Sequence, residues 1–291
     1  MILLTGATGN VGTALLRQLT ASGQRVRCLV RDPRRLGPER VRVQITLGDL
    51  SNPASFRHAL RGVDTVVHLA AAIRDQPRAS IEELNAVATL RLLRAAERSG
   101  VQRFLVFSAL GATLDSRARF FRAKALAEQA VERSPLQTVV FAPSIIYSPR
   151  DPWIRLLETL SLFPAMPISG SGGALYQPIW AEDAAACVTA VLEGRGDDRN
   201  RIELAGPETL SYNDMARETL RALHRRRRLL HVPLPIVRGG LGALERVVRH
   251  GAFATWQEAE LMEIPMVTPR GTEDAEALGV SPRPMRAVLG A

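Results

Sequence analysis

The chain has 291 residues, of which 46% are hydrophobic and 23% are charged, a balance typical of a globular protein with a sizeable core rather than of a disordered chain. Met1 leads directly into apolar residues, so we expect no signal peptide. Prolines and charged residues interrupt the apolar stretch Leu229–Val248, so we expect no membrane span. Cys28 and Cys187 are expected to be buried thiols, and the cytoplasm is the expected compartment.

The net charge of +9 raises the question of a polyanionic partner. The one dense basic run, Arg225–Arg228, follows an expected helix over Tyr212–Leu223. Cations favour the negative end of a helix dipole, so the first interpretation is a solvated helix terminus. Nucleic acid or an anionic membrane surface is the alternative. Direct nucleic-acid binding is not expected, because no aromatic residues interleave with the run and no reading motif is recognisable.

The first half of the chain alternates short apolar strands with amphipathic helices. The expected strands are Met1–Thr5, Arg25–Val30, Val41–Thr46, Thr65–Leu69, Phe104–Phe107 and Thr138–Phe141. The expected helices are Val11–Ser22, Pro53–Leu60, Ser80–Ser99 and Arg117–Arg133. Such alternation predicts an α/β fold with a doubly wound parallel sheet of the Rossmann type.

The pattern loosens after Pro149, which divides the chain into a Rossmann domain, residues 1–149, and a smaller C-terminal subdomain for a substrate or partner, residues 150–291. Some elements of the subdomain are expected to return to the sheet. We expect the subdomain to begin with a helix, Trp153–Leu162, and a Pro/Gly/Ser-rich loop, Pro164–Gly173. A strand (Leu175–Trp180), a helix (Ala181–Leu192) and a further strand (Arg201–Leu204) are expected to follow. Trp153, Phe163, Met166 and Tyr176 are candidates either for an apolar pocket or for ordinary core.

A glycine-rich turn joins the first strand to the first helix. It consists of Gly6, Ala7, Thr8, Gly9, Asn10, Val11 and Gly12. Glycines at this spacing permit a tight turn and close approach of the backbone to a pyrophosphate, and the helix N-terminus then supplies free N–H groups. The placement between strand and helix predicts a dinucleotide site.

The end of the second strand bears on which dinucleotide binds there. NAD sites usually carry a carboxylate at this point to hold the ribose diol, but the chain has Val30 followed by Arg31. A guanidinium can pair with a 2′-phosphate through two hydrogen bonds. The sequence therefore predicts a preference for NADP(H), while Asp32 leaves NAD(H) possible.

Lys124 is the only lysine, since the other 37 of the 38 basic residues are arginines. Arginine cannot supply a compact ammonium whose pKa burial lowers. The position therefore favours a functional amine over a chance surface residue.

These features occur among further segments that resemble the atypical and extended short-chain dehydrogenase/reductases, in particular the NDUFA9-like branch, with NmrA-like proteins as further relatives. The segments are Thr5–Gly12, Leu29–Pro33, Gly48–Leu50, His68–Ala72, Val101–Gly111, Pro143–Pro149, Gln177–Ala184 and Leu204–Glu208. The Gly-Asp-Leu, Ser-Ala-Leu-Gly and Glu-Asp-Ala segments in this order are more specific than the glycine turn.

The resemblance implies roles for individual residues. Asp49 and Leu50 would border the adenine, although Asp49 could also simply stabilise a turn. The residues implied for the middle of the cofactor are Ala70, Ala71 and Ala72. Those implied for the nicotinamide half are Asn85, Lys124, Pro143, Ser144 and Ile146.

The implied active site is incomplete. Classical members of the superfamily combine a serine, a tyrosine and a lysine, of which Ser108 and Lys124 are present. Phe120 occupies the tyrosine position four residues before the lysine, and it has no proton to give.

Three functions follow as hypotheses. The first is an NADP(H)-binding accessory, assembly or redox-sensing protein. The second is an NADPH-dependent oxidoreductase that acts on a quinone, an enone or another small carbonyl and uses Lys124 without the tyrosine. The third is an NmrA-like regulator that acts through protein contacts.

Overall fold

A seven-stranded parallel sheet organises the computed structural model, which describes residues 1–77, 79–149, 151–196, 198–239 and 256–290. The strands of the described residues are β1 (Ile2–Thr5), β2 (Val26–Val30), β3 (Gln44–Leu47), β4 (Thr65–His68), β5 (Arg103–Phe107), β6 (Gln137–Pro143), β7 (Ile146–Tyr147), β8 (Ala165–Ser169), β9 (Leu175–Tyr176), β10 (Ile179–Trp180), β11 (Arg201–Leu204), β12 (Leu210–Ser211) and β13 (Arg228–Val232). The spatial order in the main sheet is β3-β2-β1-β4-β5-β6-β11.

Helices cover both faces of this sheet. The bounds of the helices are α1 (Asn10–Ala21), α2 (Pro53–Phe56), α3 (Ala88–Arg98), α4 (Arg119–Glu132), α5 (Pro152–Leu160), α6 (Ala181–Leu192), α7 (Tyr212–Ala222), α8 (Trp256–Leu261), α9 (Glu273–Ala277) and α10 (Met285–Leu289). Apolar residues of α1 and α6 share one core with the sheet, and those of α2 and α3 share a second core on the opposite face. The predicted doubly wound Rossmann sheet is confirmed.

The order of strands creates the crevice in which a ligand of such a sheet binds. The chain leaves β1 through α1 on one face, whereas it leaves β4 towards α3 on the other. The connections that leave the adjacent carboxyl ends of β1 and β4 therefore run to opposite faces of the sheet. Ligands of open α/β sheets bind in the crevice at such a switch point.

Several predicted boundaries in the first half are corrected. The predicted strand Val41–Thr46 begins later, at Gln44, because a 3₁₀ helix occupies Pro33–Val41. Part of the predicted helix Ser80–Ser99 is a π-helical turn, Glu83–Val87, that precedes α3. Turns of this type are frequent at functional sites.

The loop predicted over Pro164–Gly173 is wrong in its first part, which contains strand β8. Met166 and Ile168 of this strand are buried, and β8 pairs in parallel with β13. The alternation of apolar residues defines the strand, whereas the abundant Pro, Gly and Ser residues suggested a loop. The predicted strand Leu175–Trp180 is likewise divided into β9 and β10, which pair with different partners.

The C-terminal elements build a separate apolar core and also extend the main sheet. Strand β11 pairs with β6 at the sheet edge. Met166 and Tyr176, two of the candidate pocket residues, belong to this core, which Trp153 packs against, whereas Phe163 is exposed. The division of the chain after residue 149 remains a prediction, and residue 150 lies outside the described residues.

Within the described residues, no helix has the length and apolar character needed to cross a bilayer. The stretch Leu229–Val248 lies partly outside them, since residues 240–255 are not described. Cys28 and Cys187 are free, buried thiols.

Candidate dinucleotide site

The glycine turn is packed against β4 without space for side chains. A β-carbon on Gly6, whose φ is 74°, would stand 2.6 Å from the backbone nitrogen of Ala70. One on Gly12 would stand 2.0 Å from the carbonyl oxygen of Gly6. The turn therefore requires glycine at both positions, and it fixes the start of α1 close to the end of β4.

The N-terminus of α1 is left open to a ligand. Gly9 is the N-cap residue, so no side chain caps the helix, and no acidic residue lies in its first turn. Gly9 and Asn10 are exposed. Uncapped N–H groups and the positive end of the dipole suit a pyrophosphate, so this turn fits a dinucleotide.

The predicted adenosine end lies at the ends of β2 and β3. Arg31 is exposed, and no hydrogen bond or ion pair to its side chain occurs among the described residues. The Asp32 carboxylate instead accepts a hydrogen bond from Arg34 N at 3.0 Å and caps the following 3₁₀ helix. Leu50 is half-buried against the core of the α3 face.

Asp49 has a structural role in the turn after β3. Its Oδ1 accepts hydrogen bonds from the backbone nitrogen and the hydroxyl of Ser51, at 2.9 and 2.8 Å. The turn stabilisation that the sequence left open for this aspartate is therefore present, whereas its contact with adenine stays a prediction.

A buried relay of hydrogen bonds ties the ends of β1 and β4 to the π-helical turn. Thr89 Oγ1 donates its proton to the Asn85 carbonyl at 2.6 Å. It must therefore accept the proton of His68 Nε2, at 2.9 Å, and His68 Nδ1 accepts from Thr5 Oγ1 at 2.7 Å. Burial, together with the nearby charge of Lys124, lowers the pKa of His68 to about 3, so the imidazole stays neutral.

Asn85 holds the chain after β4 in place. Its amide nitrogen donates to the carbonyls of Ala72 and Ile81 at 2.7 and 2.8 Å, and its Oδ1 accepts from Ala72 N at 3.2 Å. All of these partners are backbone atoms, so the side chain positions the Ala70–Ala72 segment. In that segment Ala71 is exposed, and Ala70 and Ala72 are half-buried.

Lys124 lies on the buried face of α4 with only 4% of its surface exposed. Its ammonium donates to the Phe107 carbonyl at the end of β5, at 2.6 Å. Desolvation lowers the pKa of Lys124 to about 8, although the charge of Glu128, one turn further along, opposes the shift. Glu128 in turn accepts a hydrogen bond from Arg201 at 2.5 Å.

A polar and an apolar group flank this ammonium. Ser108 follows Phe107 directly, and its buried hydroxyl has no hydrogen-bond partner among the described residues. On the other side, the ring of Phe120 is centred 5.7 Å from Lys124 Nζ. The structure therefore brings Ser108, Phe120 and Lys124 together, and it places a benzene ring where a phenol would complete the set.

The segment after α8 covers this end of the site. Leu261 belongs to an apolar cluster with Ala109, Ala118 and Phe121, and Phe120 packs against that cluster. Ser144, predicted to face the nicotinamide, instead donates its hydroxyl to the Met266 carbonyl at 2.6 Å and accepts from Gln177 N at 3.0 Å. Pro143 is buried and accepts from Leu110 N at 2.8 Å, while Ile146 is half-buried in β7.

No tyrosine replaces the missing phenol within the described residues. Tyr147, Tyr176 and Tyr212 are all buried in the C-terminal core. Tyr176 donates to the Met262 carbonyl at 2.7 Å, and the Tyr147 hydroxyl is buried without a partner. The sequence had excluded these tyrosines by their spacing.

Sequence reasoning missed the histidine relay and the covering segment. In the sequence, His68 stands out only as part of a family-like segment. Its neighbours in the chain are apolar, and they do not indicate which distant side chains bond to the imidazole. The covering segment carries no motif, and its partners lie far earlier in the chain, 122 positions for Ser144 and 86 for Tyr176.

A comparison with family models adds a decisive match. The model of a family described as NAD(P)H-binding matches residues 6–169, which is more than half of the chain and includes the glycine turn, Ser108 and Lys124. The chain belongs to this NAD(P)H-binding family. The resemblance to atypical short-chain dehydrogenase/reductases is thereby confirmed.

Named relatives of this NAD(P)H-binding protein are of more than one kind. It is 27% identical over 246 residues to subunit 9 of the NADH dehydrogenase (ubiquinone) 1 alpha subcomplex of Arabidopsis thaliana, covering 80% of the chain and 60% of the relative. It is 30% identical over 204 residues to a ceramide reductase of Caulobacter vibrioides, covering 66% and 62%. The chain thus spans less than two thirds of either relative.

A solved structure supports the fold alone. A nucleoside-diphosphate-sugar epimerase from Staphylococcus aureus superposes with a TM-score of 0.81 at 18% identity, covering 100% of the chain and 99% of the epimerase.

Gly9→Ala tests the pyrophosphate turn without disturbing the fold. Gly9 has φ −84° and ψ 177°, which alanine adopts freely, and its β-carbon would make one tight contact, 3.3 Å from Gly6 O, that a small shift of the turn relieves. We expect the free energy of unfolding of the apoprotein to change by less than about 1 kcal/mol, while the dinucleotide affinity measured by calorimetry falls at least tenfold. Gly12→Ala is the contrasting variant and should destabilise the apoprotein itself. Unchanged affinity in Gly9→Ala would place the ligand elsewhere.

Lys124→Met tests the burial of the ammonium. Between pH 8 and 10.5 the folded protein has released the Lys124 proton while the unfolded chain still holds it. The free energy of unfolding should therefore rise with pH in this window by up to about 1.4 kcal/mol per pH unit, and Lys124→Met should lack this contribution. Denaturant titrations of both proteins across the window measure the difference. Parallel pH profiles would mean that Lys124 is solvated.

Proposed function

We propose that this protein binds NADP(H) as a structural or redox-reporting ligand and serves as an accessory, assembly or redox-sensing protein rather than as an efficient enzyme. One observation carries the proposal. The neighbour of the buried Lys124 ammonium is the ring of Phe120, which cannot transfer a proton, so the ammonium would hold ribose hydroxyls without a phenol beside it.

The environment of Phe120 supports this proposal. The ring packs against the apolar cluster that includes Leu261 at the end of α8, and Met262 and Ile264 of the following segment pack against the same cluster. The position is therefore part of an apolar contact between α4 and the end of α8 with the segment after it. A bound dinucleotide would stabilise this arrangement through mass action, by about 2.7 kcal/mol when it is present at one hundred times its Kd. The similarity to an NADH dehydrogenase subunit favours a role beside a protein partner.

The preference for NADP(H) is supported by the charges at the end of β2. Arg31 is exposed and has no ion-pair partner among the described residues, whereas the carboxylate of Asp32 is engaged in capping a helix. A guanidinium is thus available for a 2′-phosphate, while one oxygen of the Asp32 carboxylate caps the 3₁₀ helix.

Arg31→Ala should separate the two dinucleotides. Loss of a charge-assisted contact with the 2′-phosphate should weaken NADPH binding by roughly tenfold to a hundredfold and leave NADH binding unchanged, as measured by calorimetry. Arg57→Ala, which removes another exposed arginine, is the control. An equal loss for both dinucleotides would refute the proposed contact, and tighter binding of NADH by the unaltered protein would refute the preference.

A second candidate function is an NADPH-dependent oxidoreductase for a quinone, an enone or another small carbonyl. The lowered pKa of Lys124, about 8, would let the amine act as the general acid, and the Ser108 hydroxyl could hold the substrate oxygen. Hydride would pass from the nicotinamide to the acceptor carbon, and Lys124 would supply the proton. The similarity to a ceramide reductase supports a reductase as the candidate to test.

A regulatory role like that of NmrA-like proteins is compatible with the same dinucleotide site. In that role the protein would act by binding a protein partner. We keep the cytoplasm as the proposed location, because the two cysteines are reduced and buried.

Turnover assays distinguish the first two functions. We expect NADPH to raise the melting temperature, and NADPH oxidation with quinone or enone acceptors to stay at background in both the unaltered protein and Lys124→Met. Phe120→Tyr, which supplies a hydroxyl beside the ammonium, should raise the rate above that of the unaltered protein. Turnover that is lost in Lys124→Met and that changes with a pKa near 8 would instead establish the reductase.

A further inference from the structure

Six arginines surround an open cleft of about 470 Å³ at the end of α7, far along the chain from the dinucleotide turn. This basic cleft is lined by Leu220 and by Arg217, Arg221, Arg225, Arg226, Arg227 and Arg228. None of these residues belongs to the dinucleotide site, and the proposed function does not use them.

The arginines differ in how their charge is compensated. Arg217 and Arg221 form ion pairs with Asp214 and Glu218 on the same helix. In the described part of the chain, by contrast, none of the residues of Arg225–Arg228 pairs with a carboxylate. Four adjacent positive charges therefore remain without an internal counter-charge.

These four arginines are not needed to end α7. His224 has a φ of 52°, and its backbone nitrogen and that of Arg225 donate to the carbonyls of Arg221 and Leu220, both at 2.9 Å. This backbone arrangement is a Schellman motif, which satisfies the terminal carbonyls without any guanidinium. Ending α7 therefore does not require these four guanidiniums.

Two of the arginines are tied to the end of α5. Arg225 donates to the hydroxyl of Ser161 at 2.6 Å, and Arg227 donates to the carbonyl of Ser161 at 3.0 Å. The next two residues, Leu162 and Phe163, are 65% and 55% exposed. The basic run is thus held beside two large apolar side chains that face solvent.

Strand β13 continues this surface. It begins at Arg228, which pairs with Ala165 of β8, and Leu230 lies beside Pro167 two residues further on. Leu230 is 56% exposed, whereas Met166 and Ile168 of β8 are buried. The outward face of this strand pair therefore combines a positive charge with an exposed leucine.

We propose that this surface, formed by Arg225–Arg228 with Leu162, Phe163 and Leu230, docks the protein onto an anionic lipid bilayer. The guanidiniums would contact lipid phosphates, and the three apolar side chains would enter the boundary between headgroups and acyl chains. A nucleic acid would match the charge but would leave the leucines without an apolar environment. The lipid surface satisfies both halves of the pattern.

Vesicle flotation with the full chain tests the proposal. We expect binding to vesicles of phosphatidylcholine and phosphatidylglycerol, weak binding to phosphatidylcholine alone, and a decrease with salt. Each arginine near an anionic surface contributes roughly fivefold to partitioning, so Arg226→Gln/Arg228→Gln should lose about twenty-five-fold. Leu162→Ser/Phe163→Ser should also lose binding at least fivefold. Arg98→Gln/Arg133→Gln, which removes two exposed arginines from the helices of the sheet, should bind like the unaltered protein.

The result has clear alternatives. Circular dichroism and thermal unfolding show whether each variant is folded, and none of the altered residues belongs to a buried core. No binding to phosphatidylglycerol vesicles would overturn the proposal, as would an equal loss in the Arg98→Gln/Arg133→Gln control. If Leu162→Ser/Phe163→Ser binds vesicles normally and the protein binds duplex DNA as tightly as vesicles, the surface is a general polyanion site and the proposal is wrong.

Discussion

The close approach of the glycine turn to β4 is the constraint on which the candidate site depends. A β-carbon on Gly6 would stand only 2.6 Å from the backbone nitrogen of Ala70, so α1 starts directly beside the ends of β1 and β4. The N-cap residue of α1 is Gly9, so no side chain caps the helix N-terminus. Behind it, the neutral His68 relay ties both strand ends to the π-helical turn. The close approach of the Gly6 and Ala70 backbones thereby fixes the geometry of the glycine-turn end of the candidate site.

The other end of the site depends on a single buried charge. Desolvation lowers the pKa of Lys124 to about 8, and the charge of Glu128 opposes only part of that shift. The ammonium donates its hydrogen bond to the Phe107 carbonyl. Lys124 is the only lysine in a chain whose other basic side chains of this kind are all arginines, although Phe120 stands at the position of the usual tyrosine partner. This combination favours a role in holding a ligand, and it also explains why a lysine-dependent reductase is the alternative to be tested.

The C-terminal elements serve two surfaces at once. The segment after α8 is hydrogen-bonded to Ser144 and Tyr176, and its apolar residues pack beside Phe120. The strand pair β8–β13 and the end of α7 point the unpaired arginines and exposed apolar residues outward. A protein that binds both a dinucleotide and a charged surface would suit the accessory role better than that of a freely diffusing enzyme.

The sequence by itself determined the alternation of strands and helices, the glycine turn and the Phe120–Lys124 spacing, because each of these is expressed within a few neighbouring residues. Only the tertiary structure decided which residues that are far apart in the chain contact each other. The partners of His68, the covering of Phe120 by the segment after α8 and the pairing of β8 with β13 all link distant positions. Strand β8 was mistaken for a loop because its composition signals a turn, whereas its burial depends on a partner strand that lies more than 60 residues later.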